Sequence, residues 1–314
     1  MTLTPTCRDH RSVSSMCVFS RCPRLYFWTR QLGLERESSQ RTVAMDFGSA
    51  IHAAVPYTFL PGGGLVEAKS AFARVWGERD DLSDPKRNSA VAHHIIVELG
   101  RVHEKGTRLY TPVVPELKSN VARGELSPHE IEFNADFGLP SKKLVNGRID
   151  ALGVHETTTA MWGVEYKTTS QLWGNFGDLF QLSPQVITYF MALKVCGYEP
   201  AGVFVEAIKV AAIDKRGGCG CAVLPIPVEV SEVKEQLCLL WWLRHDAQLQ
   251  ELEDIAPSDP LAWPAQCSRC NPYSEYGLQG YECEFEPLCV AGPDWERLAG
   301  LFVVKEKEKE TDDA

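Results

Sequence analysis

Gly147-Arg148-Ile149-Asp150, then fourteen residues, then Glu165-Tyr166-Lys167 is the stretch whose reading decides the fold of this chain. In an extended strand successive side chains alternate faces, so Glu165 and Lys167 share one side. Asp150 ends the preceding strand-like run, and a hairpin between the two runs brings it beside Glu165. Two carboxylates in one cleft raise each other's pKa unless a divalent cation joins them. A lysine next to that cation can orient or deprotonate a water molecule, which completes the equipment for hydrolysing a phosphodiester. Trp162, Val164 and Tyr166 alternate with Gly163, Glu165 and Lys167, so the strand is expected to be covered on both faces. A solvated ion pair on an edge strand is the plain alternative for so short a pattern taken alone.

Working outward, strands are predicted over 130–137, 144–154 and 159–168, the first with Ile131, Phe133, Ala135 and Phe137 on one face. A loop over 171–182 leads to Ser183-Pro184, an N-cap and first-turn proline that open a helix, and Gly197 stops it. A fourth strand is predicted over 202–210 and, after the turn Asp214-Lys215-Arg216-Gly217-Gly218, a fifth over 221–230. Ser231 caps a long helix reaching about residue 252. Upstream, Pro23 opens a helix over 22–34, another begins near Gly48 and carries His52, and helical spacing runs over 66–76 and 88–110. A meander of three strands, a crossover helix and a further strand make a mixed sheet in an α/β fold.

The chain has 314 residues, enough for one large domain or two moderate ones, and its 44% apolar and 24% charged composition suits a soluble globular protein. Its longest apolar run, 237–243, is far short of a bilayer span, and the arginine-bearing N-terminus lacks a signal-type apolar core, so a cytoplasmic location without membrane contact is expected. A net charge of −10 excludes binding nucleic acid by bulk electrostatics but leaves room for a local basic groove. Up to Arg41 there are seven arginines against three acids, while 305–314 alternates Lys and Glu into an acidic end and reads as a solvated tail. No Gly-x-x-x-x-Gly-Lys-Ser/Thr phosphate loop is present, which excludes a helicase–nuclease.

Eleven cysteines without a secretory signal point to metal ligation rather than disulfides. Cys267, Cys270, Cys283 and Cys289 lie within 23 residues, with Cys22 far away at the other end. As two pairs, the four C-terminal cysteines make a tetrahedral zinc pattern.

Gly48-Ser-Ala-Ile-His52, Gly147-Arg-Ile-Asp150, Glu165-Tyr-Lys167 and Gln185-Val-Ile-Thr-Tyr189, in that order, resemble the PD-(D/E)XK nuclease superfamily. They are most similar to its RecB-like branch, which includes CRISPR-associated exonucleases and related phage enzymes. The resemblance implies a restriction-endonuclease-like core: a mixed central sheet flanked by helices, with a helical insert and a C-terminal cysteine-rich region. It divides the chain into an arm and helix over 1–47, a helical region over 48–128, the nuclease core over 129–230, a helix and cluster region over 231–300, and a disordered charged tail over 301–314. It further implies a 4Fe–4S cluster on Cys22, Cys270, Cys283 and Cys289, in which Cys267 competes for the second place. Zinc on Cys267, Cys270, Cys283 and Cys289 stays open beside it.

The function expected is a metal-dependent DNA exonuclease acting on single strands or duplex ends. Asp150, Glu165 and Lys167 are the catalytic residues expected. Mg²⁺ or Mn²⁺ would be held by Asp150, Glu165, His52 and the carbonyl of Tyr166, an imidazole suiting Mn²⁺ in particular. Gln185 and Tyr189, at i and i+4, would line the strand path, with Gln185 able to hydrogen-bond either a ligand or DNA, and Trp173 and Phe176 could stack on bases, though hydrophobic packing of their loop is the stronger reading. Recombination, repair, phage replication or CRISPR adaptation would supply protein partners. A non-catalytic DNA-end-binding or assembly subunit with the same fold is the alternative.

Overall fold

The computed structural model describes residues 9–36, 41–59, 63–77, 84–104, 109–113, 131–172, 174–266 and 283–304. Two compact units emerge, Met1–Ser39 with Asp136–Val145 and Leu239–Ala314, and Gln40–Ala135 with Asn146–Cys238.

In the first unit β1 (His10–Ser12) leads into α1 (Val13–Arg21), a helix the sequence reading did not foresee, whose cap is the Ser12 hydroxyl accepting the Ser15 N–H at 3.1 Å. Cys22, with extended backbone, ends α1, and Pro23 opens α2 (Pro23–Tyr26). The single helix expected over 22–34 is therefore one short turn continued by a π-helical turn at Phe27–Gln31, and Gly33 with φ of 67° ends it before β2 (Leu34–Arg36). β2 pairs antiparallel with Phe302–Val304, so the start of the expected tail forms a strand. Residues 305–314 lie outside the described residues. The core is aromatic: Trp263 is fully buried, stacks on Tyr26 with centroids 6.0 Å apart, and meets Phe27 at 5.2 Å.

The second unit opens with α3 (Arg41–Ala54), α4 (Leu65–Trp76) and α5 (Ser89–Val102). Phe47, Ile51, Phe72, Trp76, Ile95 and Leu99 from these helices form one core with Val164, Tyr166, Phe204 and Ile208 from the sheet. The helix expected over 88–110 stops at Val102, where His103 turns inward and is buried, and Tyr110 instead begins β3 (Tyr110–Val113).

Next come β4 (Ile131–Ala135), β5 (Leu144–Ile149), β6 (Ala151–His155) and β7 (Met161–Thr169). The crossover helix α6 (Pro184–Val195) follows, then β8 (Pro200–Lys209) and β9 (Ala222–Glu229). The main sheet has the order β3-β6-β7-β8-β9. β7 and β8 run parallel while β3–β6, β6–β7 and β8–β9 are antiparallel, so the sheet is mixed as expected. The parallel pair requires a crossover, which α6 supplies, and α6 is buried without interruption from Val186 to Leu193. Ser183 stands at its N-cap position with no side-chain cap bond, the turn being set by Pro184 and by the Ile187 N–H on the Ser183 carbonyl at 3.0 Å. Gly197, with φ of 85°, ends it.

The predicted meander needs correcting. The strand expected over 144–154 is two strands broken at Asp150, and β4 and β5 are neighbours in a separate sheet. β3 takes the place beside β6 that β4 was expected to fill. α7 (Glu232–Ile255) follows β9, and among the described residues no helix is long and apolar enough to cross a membrane.

Candidate active site

The break at Asp150 has a local cause. The β6–β7 register ends at Ala151 opposite Val164, so the Tyr166 N–H has no partner on β6, and Asp150 Oδ2 accepts it at 2.7 Å. A side-chain carboxylate thus continues the ladder where the strand stops. Asp150 Oδ1 lies 3.6 Å from Nδ1 of His52, which α3 carries. Gly48, one turn earlier on α3, is where the helix meets the sheet end: a Cβ there would lie 3.0 Å from Thr168 Oγ1. The glycine of Gly-x-x-x-His is thus explained by a close approach.

Glu165 and Lys167 share one face of β7, as alternation requires. Glu165 is 3% exposed, and its Oε1 accepts from Lys167 Nζ and from Gln185 Nε2 at 3.2 Å. The same Gln185 nitrogen reaches the Tyr189 hydroxyl at 2.7 Å, so both amide hydrogens are used within the site. Gln185 thus bonds Glu165 directly, and Tyr189 bonds Gln185. Tyr189 is buried, its ring edge-on to Phe133 at 6.0 Å. Glu165 Oε2 is buried and has no hydrogen-bond partner among the described residues.

The electrostatics follow. Burial, then repulsion from Asp150, raise the Glu165 pKa to about 7, with Lys167 only partly compensating. Burial also disfavours charge on Asp150, but His52, the Tyr166 N–H and Lys167 outweigh it and lower the pKa. His52 is likewise opposed by burial, yet Asp150 and Glu165 raise its pKa. One carboxylate is matched and the other is not.

Among the described residues no three His, Cys, Asp or Glu side chains converge on one ion position. His52 is turned to Asp150 rather than outward to a shared centre. Mg²⁺ nevertheless needs only one or two carboxylates, taking water and substrate phosphates for the rest. The unpartnered Oε2 of Glu165 beside Asp150 fits that demand.

A family model described as the PD-(D/E)XK nuclease superfamily matches residues 10–275. The chain belongs to that superfamily. No match was found among curated proteins. The mixed five-stranded sheet is the restriction-endonuclease-like core of a PD-(D/E)XK nuclease, a class of hydrolases that typically use divalent metals such as Mg²⁺ and whose membership implies DNA as substrate.

The remaining expected residues lie elsewhere. Phe176 is buried against Phe180 at 5.4 Å, a packing contact, and Trp173 lies outside the described residues. Cys22 is 7% exposed and its Sγ accepts the Leu25 N–H at 3.5 Å, while Cys283 and Cys289 are half-buried. Cys267 and Cys270 lie outside the described residues. Of the two partners expected for Gln185, a ligand or DNA, the structure shows the contact to Glu165, and the i, i+4 pairing with Tyr189 was its signal.

Proposed function

We propose that this PD-(D/E)XK nuclease is a metal-dependent DNA exonuclease of the RecB-like type, acting on single strands or duplex ends in recombination, repair, phage replication or CRISPR spacer acquisition. The observation that carries the reading is Glu165, buried next to Asp150 with one oxygen lacking any donor among the described residues. Burying a carboxylate beside another one, with Lys167 only partly compensating, costs free energy, and a divalent cation is the group that would offset it. A copy that only bound DNA ends would have no physical need for that cost.

Asp150 and Glu165 would hold Mg²⁺ or Mn²⁺, with His52 and the carbonyl of Tyr166 as further ligands. The bound ion supplies Lewis acidity and an in-line template for phosphodiester hydrolysis. Lys167 would position the attacking water and counter charge growing on the phosphate. Gln185 orients Glu165, and Tyr189 orients Gln185.

The test is digestion of end-labelled linear DNA beside a covalently closed circle, with Mg²⁺ or Mn²⁺. Linear DNA should be degraded while the circle persists, and Asp150→Ala, Glu165→Ala and Lys167→Ala should each lose orders of magnitude in rate. A near wild-type rate for Lys167→Ala would sink the mechanism. Circle cleavage as fast as linear cleavage would replace exonuclease with endonuclease, and tight end binding without cleavage would favour the non-catalytic reading.

A structural 4Fe–4S cluster on Cys22, Cys270, Cys283 and Cys289 is the second part of the proposal. Its support is that the chain just after Cys22 is tied to the chain just before the cysteine-rich end. Arg24 donates through Nε to the Trp263 carbonyl at 2.9 Å and through its backbone N–H to the Pro264 carbonyl at 3.1 Å. Ligands so far apart in sequence would make cluster binding part of the folding free energy. Iron and zinc should be measured on wild type, Cys22→Ser and Cys267→Ser. A brown wild type, iron loss in Cys22→Ser and retention in Cys267→Ser are expected. Full iron in Cys22→Ser, or one zinc and no iron in wild type prepared without air, would overturn the ligand set in favour of zinc on Cys267, Cys270, Cys283 and Cys289.

A further inference from the structure

On the face of β7 opposite Glu165 and Lys167 lies a second set of buried polar groups that the proposed chemistry does not use. Glu206 is the β8 register partner of Tyr166, is wholly buried, and is the one acid in Val203-Phe204-Val205-Glu206-Ala207-Ile208. Its Oε2 accepts the Tyr110 hydroxyl and faces His103 Nε2 at 3.2 Å, and its Oε1 lies 2.9 Å from the same nitrogen. His103 Nδ1 is 2.7 Å from Thr58 Oγ1, whose own hydrogen goes to the Val55 carbonyl at 2.6 Å. A hydroxyl has one hydrogen, so Thr58 accepts from Nδ1 while Nε2 faces the Glu206 carboxyl group, and both ring nitrogens are engaged. The result is a closed His103–Glu206 pair with side-chain exposures of 1% and 0%.

Such a pair is a poor device for stability alone, since apolar residues of similar volume often serve as well or better. Its value lies in what it fixes. Thr58 closes the turn Val55–Thr58 that continues α3, the helix carrying His52. The Tyr110 ring lies directly on the β6 backbone, where a Cβ at Gly153 would come within 2.5 Å of it. Tyr166, between Glu165 and Lys167, packs on this set from one side and meets the His52 ring edge-on at 5.9 Å from the other. The main-chain N–H of the same Tyr166 holds Asp150.

We propose that Glu206, together with His103 and Tyr110, forms a positioning site that locks α3, β3 and β8 around Tyr166 and so sets the spacing of Asp150 and Glu165 for one divalent cation. This rests on the metal-dependent reading given above. Groups behind metal ligands characteristically change metal affinity or activity by about ten- to a hundredfold when altered.

The test uses the full chain with Glu206→Gln and Tyr110→Phe. It reads the Mn²⁺ dissociation constant by calorimetry, kcat and KM on end-labelled DNA, and circular dichroism. Glu206→Gln should weaken Mn²⁺ by about ten- to a hundredfold and lower kcat with KM for DNA unchanged, and excess Mn²⁺ should restore much of the rate. Tyr110→Phe, which keeps the His103–Glu206 contact, should show a smaller shift in the same direction, and it decides the matter if Glu206→Gln does not fold. Lowered thermal stability with Mn²⁺ affinity and kcat at wild-type values would make the network structural only and overturn the proposal. A wild type that binds Mn²⁺ but cleaves no DNA would sink the nuclease reading while the affinities still decide this one. A wild type that binds no Mn²⁺ would overturn both.

Discussion

Arg11 and Glu165 are charged side chains buried to 2% and 3% exposure, yet their surroundings differ in completeness. Arg11 Nε meets Asp246 at 2.7 Å, one terminal nitrogen meets Glu253 at 2.8 Å, and the other meets Gln250 at 3.2 Å. Asp246 also takes the Ser141 N–H and hydroxyl, both at 2.8 Å, and Glu253 takes Gln31 at 3.3 Å and Lys143 at 3.2 Å. Each carboxylate oxygen there has a donor. Burial works against the Arg11 charge, but Glu253 and Asp246 more than offset it and raise the pKa. At Glu165 an oxygen is left bare beside another carboxylate. A charge network closed on itself holds a fold together, whereas one left open is poised for something from outside.

The largest effect that would sharpen this contrast is on stability. Arg11→Met leaves buried Asp246 without its cation and Glu253 with Lys143 as its remaining cation, and should cost about 3–5 kcal/mol. Glu165→Gln removes one of two repelling carboxylates and should leave the metal-stripped protein as stable as wild type or more so. Chemical denaturation of both variants checks the pair, and comparable losses would erase the distinction.

A pH effect of intermediate size follows from the same residue. Glu165 titrates near 7 in the fold against a reference of 4.5, so between these values the folded chain binds more protons than the unfolded one. In metal-stripped protein its contribution therefore falls as pH rises from about 4.5 to 7 and is flat above. His52, with its pKa raised from 6.5, adds a decline of the same sign at higher pH, while lowered Asp150 acts only in more acid solution, below its 3.8 reference. Denaturation between pH 5 and 7 should show a slope that Glu165→Gln reduces, and an identical slope in the variant would refute the assignment.

The smallest expected effect concerns His52. If its imidazole joins the ligand set, His52→Ala should weaken Mn²⁺-supported cleavage several-fold more than Mg²⁺-supported cleavage. Equal losses in a metal titration of both proteins would leave His52 as a partner of Asp150 alone.

Much of this site was legible because strand alternation is local. Glu165 and Lys167 fall on one face of β7 by period alone, and Asp150 was placed beside them by a hairpin that the structure contains as β6 and β7. Placement of β4 was not legible, because the alternation of Ile131, Phe133 and Ala135 shows that one face is buried without naming the sheet it joins. β3 escaped because four residues after a helix carry too little pattern. Glu206 was not singled out in the sequence, because the partner that gives an acid in an apolar strand its meaning, His103, is 103 residues away. Gln185 and Tyr189 were read correctly as one helical face, whereas the group they face is set by the packing of α6 on β7, a tertiary fact.

The most direct test is a calorimetric titration of Mn²⁺ into metal-stripped wild type and Glu165→Gln at pH 8, above the pKa of about 7. Wild type should bind Mn²⁺ and gain thermal stability in proportion to ligand concentration over the dissociation constant. Glu165→Gln should show neither binding at those concentrations nor a thermal shift. Equal affinity in the two proteins would mean that the bare oxygen of Glu165 is not where the cation sits, and would contradict the account at its centre.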